Sequence, residues 1–262
     1  MTGMEAAATP SGFTEPFNAF THLIGAGIFL AWAVLLVMRG RGGPDILGGG
    51  QGRRQSQRRG KADAAREKKL RMAALSVFGL AAVTQLLASG IYHLLEKDHL
   101  PRIIMQRVDH SAIFFLILAS FVPLHTILFR GWRRWGVLSG MLILTSSGMA
   151  ISAVFLDIIP DWVSTTVYVS IGWVGGYSAY LLHQRHHWGF ILPLVWGGVA
   201  YTIGGAMEFL RWPVVVKGVV EGHEMSHLAV LAGLTFHFWF TWSFAKGEPQ
   251  GGVGKAKGRR AH

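Results

Sequence analysis

The sequence predicts an all-α polytopic membrane protein, a seven-transmembrane-helix bundle, on three observations. The 262 residues are 51% hydrophobic and only 15% charged, which is a membrane composition. The charges gather in short blocks between long apolar runs. Seven of those runs are long enough to cross a hydrocarbon core of roughly 30 Å, which takes about 20 residues at about 1.5 Å each.

The first run, 16–38, follows a flexible N-terminal segment, 1–14, without Lys or Arg. It therefore reads as a retained span rather than a cleaved signal. A basic loop, 39–71, comes next, glycine-rich from Gly40 to Gly60 and helix-like from Ala64 to Arg71. It leads into the second span, 72–95. The third, 108–129, opens on Asp109. The fourth, fifth and sixth, 135–156, 162–182 and 188–207, each begin on a tryptophan. The seventh, 222–245, ends the membrane domain of 15–245 and is followed by a basic, flexible tail, 246–262.

These runs are apolar all round, whereas a helix in the core of a soluble protein carries a polar stripe. Trp132, Trp135, Trp162, Trp188 and Trp212 fall at span ends, where amphipathic rings favour the interface. Gly172 and Gly176, four apart, either let helices approach closely or are ordinary membrane-helix glycines. No repeat or second domain is visible.

The chain has no cysteine, which excludes disulfides and thiolate metal ligands. Its net charge of +11 sits in loops beside the spans and is not interleaved with exposed aromatics. That favours anionic headgroups over nucleic acid as the partner. With the N-terminus outside, 20 of the 25 Lys and Arg fall on the inner side, so the positive-inside rule favours N-out and C-in.

Ionisable groups within spans are costly and usually functional. His223 and His227, four apart at the start of the seventh span, share one helix face. Two imidazoles hold zinc poorly, and His93, ending the second span at the same membrane face, is the best third ligand. Three neutral histidines with an open fourth position suit catalytic Zn2+, which lowers the pKa of a bound water to about 7. Asp109, starting the third span, is placed to bond such a water or take its proton, or else pairs with Arg107 or His110. Ser89, one turn before His93, faces the same way and is placed to orient water or ligand. Glu15, Asn18 and His22 follow i, i+3, i+7 spacing and form one polar stripe, with His22 alternatively bonded to nearby backbone. His183, His186 and His187 read as a solvated loop. His99, His125 and His237 have no partner at useful spacing.

Glu224 lies in His223-Glu224-Met225-Ser226-His227, a match to His-Glu-x-x-His, in which the glutamate is a general base. A membrane protease of that kind also needs a remote Asp ligand. Asp157 is expected at the face opposite His223, which counts against one.

Four segments together resemble the hemolysin III family and its relatives, the progestin and adiponectin receptors. They are Glu15-Pro-Phe-Asn18-Ala-Phe-Thr21-His22, Ser89-Gly-Ile-Tyr92-His93, Asp109-His110-Ser-Ala-Ile113-Phe114 through Pro123, and His223-Glu-Met-Ser-His227. The resemblance implies a seven-helix fold with zinc on His93, His223 and His227, and with Asp109 and Ser89 beside the zinc water. Alkaline ceramidases look like distant relatives, which implies hydrolysis of a lipid amide. The first loop is longer and more basic than the family leads one to expect, Glu224 is a further departure, and the family looks N-in.

Three functions are thus in view. The first is a zinc-dependent hydrolase of a lipid amide. The second is a non-catalytic receptor or regulator of membrane state with a structural zinc. The third is a membrane-lytic protein, for which no amphipathic pore-forming stretch is found.

Overall fold

The computed structural model describes residues 14–42 and 54–249. The expected N-terminal segment up to residue 13, the middle of the basic loop and the tail beyond 249 lie outside these residues. Within them the chain forms α1 (Pro16–Arg41), α2 (Arg54–Leu94), α3 (Leu100–Leu128), α4 (Trp132–Phe155), a 3-10 turn (Leu156–Ile158), α5 (Asp161–Gly172), α6 (Val174–His183), α7 (Trp188–Leu210) and α8 (Gly222–Phe244). Among the described residues five segments are long and apolar enough to cross a membrane on their own: Pro16–Arg41, Ala62–Leu94, Leu100–Leu128, Trp132–Ile158 and Trp188–Leu210. With the α5–α6 pair and α8 they make the expected all-α polytopic bundle of seven traverses.

Three elements differ from the sequence expectation, one of them α3, which begins at Leu100 rather than at residue 108. The fifth span is broken at Trp173, where the backbone tightens through a Gly176 N–H to Trp173 carbonyl bond of 2.9 Å. Gly172, Gly175 and Gly176 surround the break, and each weakens a helix by about 1 kcal/mol relative to Ala. The helix α2 reaches back to Arg54, through Gln, Arg, Lys, Ala and Glu, which are good helix formers.

Lipid tails are as apolar as leucine, so helices in a bilayer associate through close packing rather than by escaping water. The α1–α2 and α7–α8 pairs are the most extensive contacts. A Cβ added at Gly79 would lie 2.6 Å from Ala33 Cβ, and one at Gly90 would lie 3.2 Å from the Ala19 carbonyl oxygen. The close approaches are therefore at these glycines, not at Gly172, which faces open space, or Gly176, whose nearest neighbour is Trp173 of the same bend. The core beneath is aromatic. Phe238 meets Phe29 at 4.9 Å and Phe78 at 4.6 Å between ring centroids, and all three are buried.

Alternation of direction gives the bundle two rims. The starts of α1, α3, α5 and α8 share one rim with the ends of α2, α4 and α7. The exposed rings of Trp162 and Trp212 mark it, and those of Trp132, Trp135 and Trp188 mark the other, in keeping with two interfacial belts. At the second rim buried Arg134 holds Glu67 at 3.1 Å, tying α4 to α2. There His125, expected to be without a useful partner, bonds the Ser178 hydroxyl at 2.9 Å and the Arg133 carbonyl at 2.8 Å. His186, expected in a solvated loop, is buried and lies 3.3 Å from Glu248.

Candidate metal centre

The last turn of α2 and the first two turns of α8 bring the three expected histidines together. Ring centroids lie 4.7 Å apart for His93 and His227, 4.7 Å for His223 and His227, and 5.4 Å for His93 and His223. One nitrogen of each falls within 4.8 Å of the others. Nitrogens about 2.0–2.1 Å from a zinc ion sit roughly 3.4 Å from one another, so the three would have to draw closer around an ion.

Backbone contacts explain why α1 arrives at this place. The Glu15 N–H donates to the His93 carbonyl at 3.2 Å, and the Thr14 hydroxyl donates to the Leu95 carbonyl at 2.9 Å. The polar stripe of α1 then spreads over three partners. Glu15 bonds the His93 ring, Asn18 Nδ2 donates to Glu224 at 3.2 Å, and His22 Nε2 meets His227 Nδ1 at 2.9 Å. His22 thus bonds a side chain rather than neighbouring backbone.

Each of the three histidines uses Nδ1 for a partner outside the set: Glu15 for His93, Glu208 at 2.8 Å for His223, and His22 for His227. Their Nε2 atoms make no hydrogen bond among the described residues, which is the arrangement a metal-binding imidazole requires. Burial raises the Glu15 carboxyl. The hydrogen bond from His93 and the charges of His93 and Arg102 outweigh that and hold it down at about 2.

Asp109 is buried and accepts from Gln85 Nε2 at 2.8 Å. It stands near enough to His93, His223 and His110 to interact electrostatically with each. It is not part of the candidate histidine set, and Arg107 is not its partner, because Arg107 pairs with Asp157 and the Ala153 carbonyl. That pair corrects the expectation for Asp157. The helix α4 ends at the rim where α3 begins, so Asp157 shares a face with His223, although it is exposed, held by Arg107 and outside the set.

Buried polar atoms without a partner gather at the same end of the bundle: Ser89 Oγ, Gln85 Oε1, Asn18 Oδ1 and His22 Nδ1. Such atoms are rare in folded proteins, and each calls for an explanation such as water or an ion. Ser89 and His93 occupy successive turns of one α2 face, so the hydroxyl and the imidazole look into the same space.

Glu224 is committed elsewhere. It accepts the Glu221 backbone N–H at 2.9 Å and completes a capping box at the start of α8, while its other oxygen takes Asn18. Sequence reasoning missed Glu208, Arg102 and Gln85. Glu208 stands one residue beyond the sixth apolar run, and its position at the end of a span reaching the site rim was the available signal.

These features define an all-α polytopic membrane protein with a three-histidine candidate metal centre at one rim. The chain belongs to the haemolysin-III related family, which it matches over residues 11–238. It is 26% identical over 229 residues to the hemolysin-3 of Bacillus cereus, covering 86% of this chain and 89% of that protein. No solved structure matches the chain.

Proposed function

We propose that the chain is a zinc-dependent hydrolase acting on an amide bond of a membrane lipid. The observation that carries this reading is the donor set. Three imidazoles from two helices each bring a nitrogen within 4.8 Å of the others, while each Nδ1 has a partner outside the set: Glu15, Glu208 or His22. A zinc ion bound there would polarise a carbonyl and lower the pKa of water. Asp109, outside the ligand set and fixed on one oxygen by Gln85, is the group placed to accept a proton. The Ser89 hydroxyl, buried and without a partner, orients a polar ligand on the same helix face as His93. Exposed Trp162, Phe209, Trp212 and Val214 surround this rim and suit a substrate that arrives from the lipid. By the positive-inside count, the site opens to the outer side with the N-terminus.

A second reading, a receptor or regulator with a structural zinc, draws support from the helix packing. The helix α8 packs chiefly on α7 and α1, with α2 outside its main neighbours, so an ion on His93, His223 and His227 would tie α2 to α8. Purified protein and its His227→Ala and Asp109→Ala variants, assayed for metal and for cleavage of ceramide-like amides by lipid mass spectrometry, separate the two. Zinc and cleavage in the parent, with cleavage lost in Asp109→Ala, support the hydrolase. Zinc without cleavage favours the structural role.

A further inference from the structure

The two carboxylates beside the histidine cluster are built alike, although they come from opposite ends of the chain. Glu15, capping α1, gives Oε2 to His93 Nδ1 and Oε1 to Arg102 at 3.0 Å. Glu208, in the last turn of α7, gives Oε2 to His223 Nδ1 at 2.8 Å and Oε1 to Arg211 at 3.4 Å. In each case one oxygen meets an imidazole and the other pairs with an arginine, buried Arg102 for Glu15 and, for Glu208, exposed Arg211, which also holds Asp161 at 3.1 Å. Arg102 is itself buried and fixed by the Leu95 carbonyl at 2.6 Å. Ser226, one residue before His227, adds a hydroxyl to Glu208 Oε2 at 3.3 Å. The third imidazole, His227, leans on His22 instead.

The geometry points to Glu208 and Glu15 as positioning residues of the metal centre, each with its arginine forming a His–carboxylate–Arg relay that fixes ring orientation. The inference rests on the zinc reading above and goes beyond it. The ligands lie on α2 and α8, but α1 and α7 hold them in register. A carboxylate accepting from Nδ1–H fixes the tautomer that presents Nε2, and it makes that nitrogen a better donor to a cation. Loss of such a partner typically costs 10–100-fold in metal affinity. The His223 ring, 34% exposed, has less packing to hold it than the His93 ring, 1% exposed. Glu208 therefore has the larger effect of the two.

The test is zinc affinity by chelator competition on the full chain in detergent, together with the visible spectrum of the cobalt-substituted protein as a report on ligand geometry. Glu208→Leu is expected to weaken zinc binding 10–100-fold and to alter the cobalt band. Glu208→Gln, which keeps an oxygen acceptor without the charge, should fall between it and the parent. Glu15→Gln should weaken binding by less than Glu208→Leu. It also gives an independent reading should the leucine variant fail to fold. If the parent binds zinc and both glutamine variants match it in affinity and spectrum, the positioning role is overturned while the zinc reading stands. If the parent binds no zinc, the zinc reading itself has failed.

Discussion

Asn18 of α1 donates its side-chain amide to Glu224 of α8 at 3.2 Å, across 206 residues of sequence. The other oxygen of Glu224 accepts the Glu221 N–H that opens the helix. Each Glu224 oxygen thus already accepts one hydrogen bond, from Asn18 or from the Glu221 backbone. Its place between two histidines is thus a helix-capping role joined to an interhelical tie.

This division of labour predicts the behaviour of Glu224→Ala. Loss of half a capping box costs about 1 kcal/mol, so the melting temperature should fall by a few degrees. Metal content, measured by elemental analysis, should match the parent. A loss of metal equal to that of a histidine variant would assign Glu224 to the ligand set.

His227 is the ring closest to both others, at 4.7 Å from each centroid. Its replacement by alanine leaves two imidazoles, too few for stable zinc. We expect His227→Ala to retain less than a tenth of the parent's zinc after dialysis against a mild chelator. Circular dichroism should show helicity preserved, since α8 is capped at Glu221.

Asp109→Asn keeps the oxygen that Gln85 bonds but removes the basic carboxylate. Metal content should be unchanged, while amide cleavage should fall by about 10²- to 10⁴-fold, the range for a proton-transfer group. Equal turnover in the two proteins would move the base to another residue.

Gly222 precedes His223, and a Cβ there would lie 2.4 Å from the Trp212 backbone nitrogen and 2.7 Å from the Met207 carbonyl oxygen. Both are backbone atoms, so nothing flexible can yield. Gly222→Ala should destabilise the protein by about 1–3 kcal/mol, as overpacking does. It should also loosen metal by displacing His223. Thermal melts with and without zinc read both effects.

A reporter fused to the C-terminus checks the orientation. The charge count places it inside, with the histidine rim on the opposite side. A reporter active only on the outer side would reverse the topology and turn the site inward.

The histidine cluster was legible because helix geometry supplies two rules: residues four apart share a face, and successive spans alternate direction. His223 and His227 follow from the first, and His93 from the second. The same alternation places Asp157 at the site rim, where Arg107 meets it, and the opposite expectation did not follow that alternation. Glu208 was hidden for another reason. A hydropathy window stops where polarity begins, and Glu208, the partner of His223, sits at that edge. The break at Trp173 was not legible either, because an apolar run has the same hydropathy whether the helix through it is straight or kinked.

The distance along the chain between Asn18 and Glu224, and between His22 and His227, bears on how the protein is made. A nascent chain that has delivered its first six traverses holds one of the three imidazoles and none of their shared geometry. A cation held by the proposed centre would therefore be captured last, after the final helix has been inserted, and a product truncated before residue 222 would carry only one of the three imidazoles.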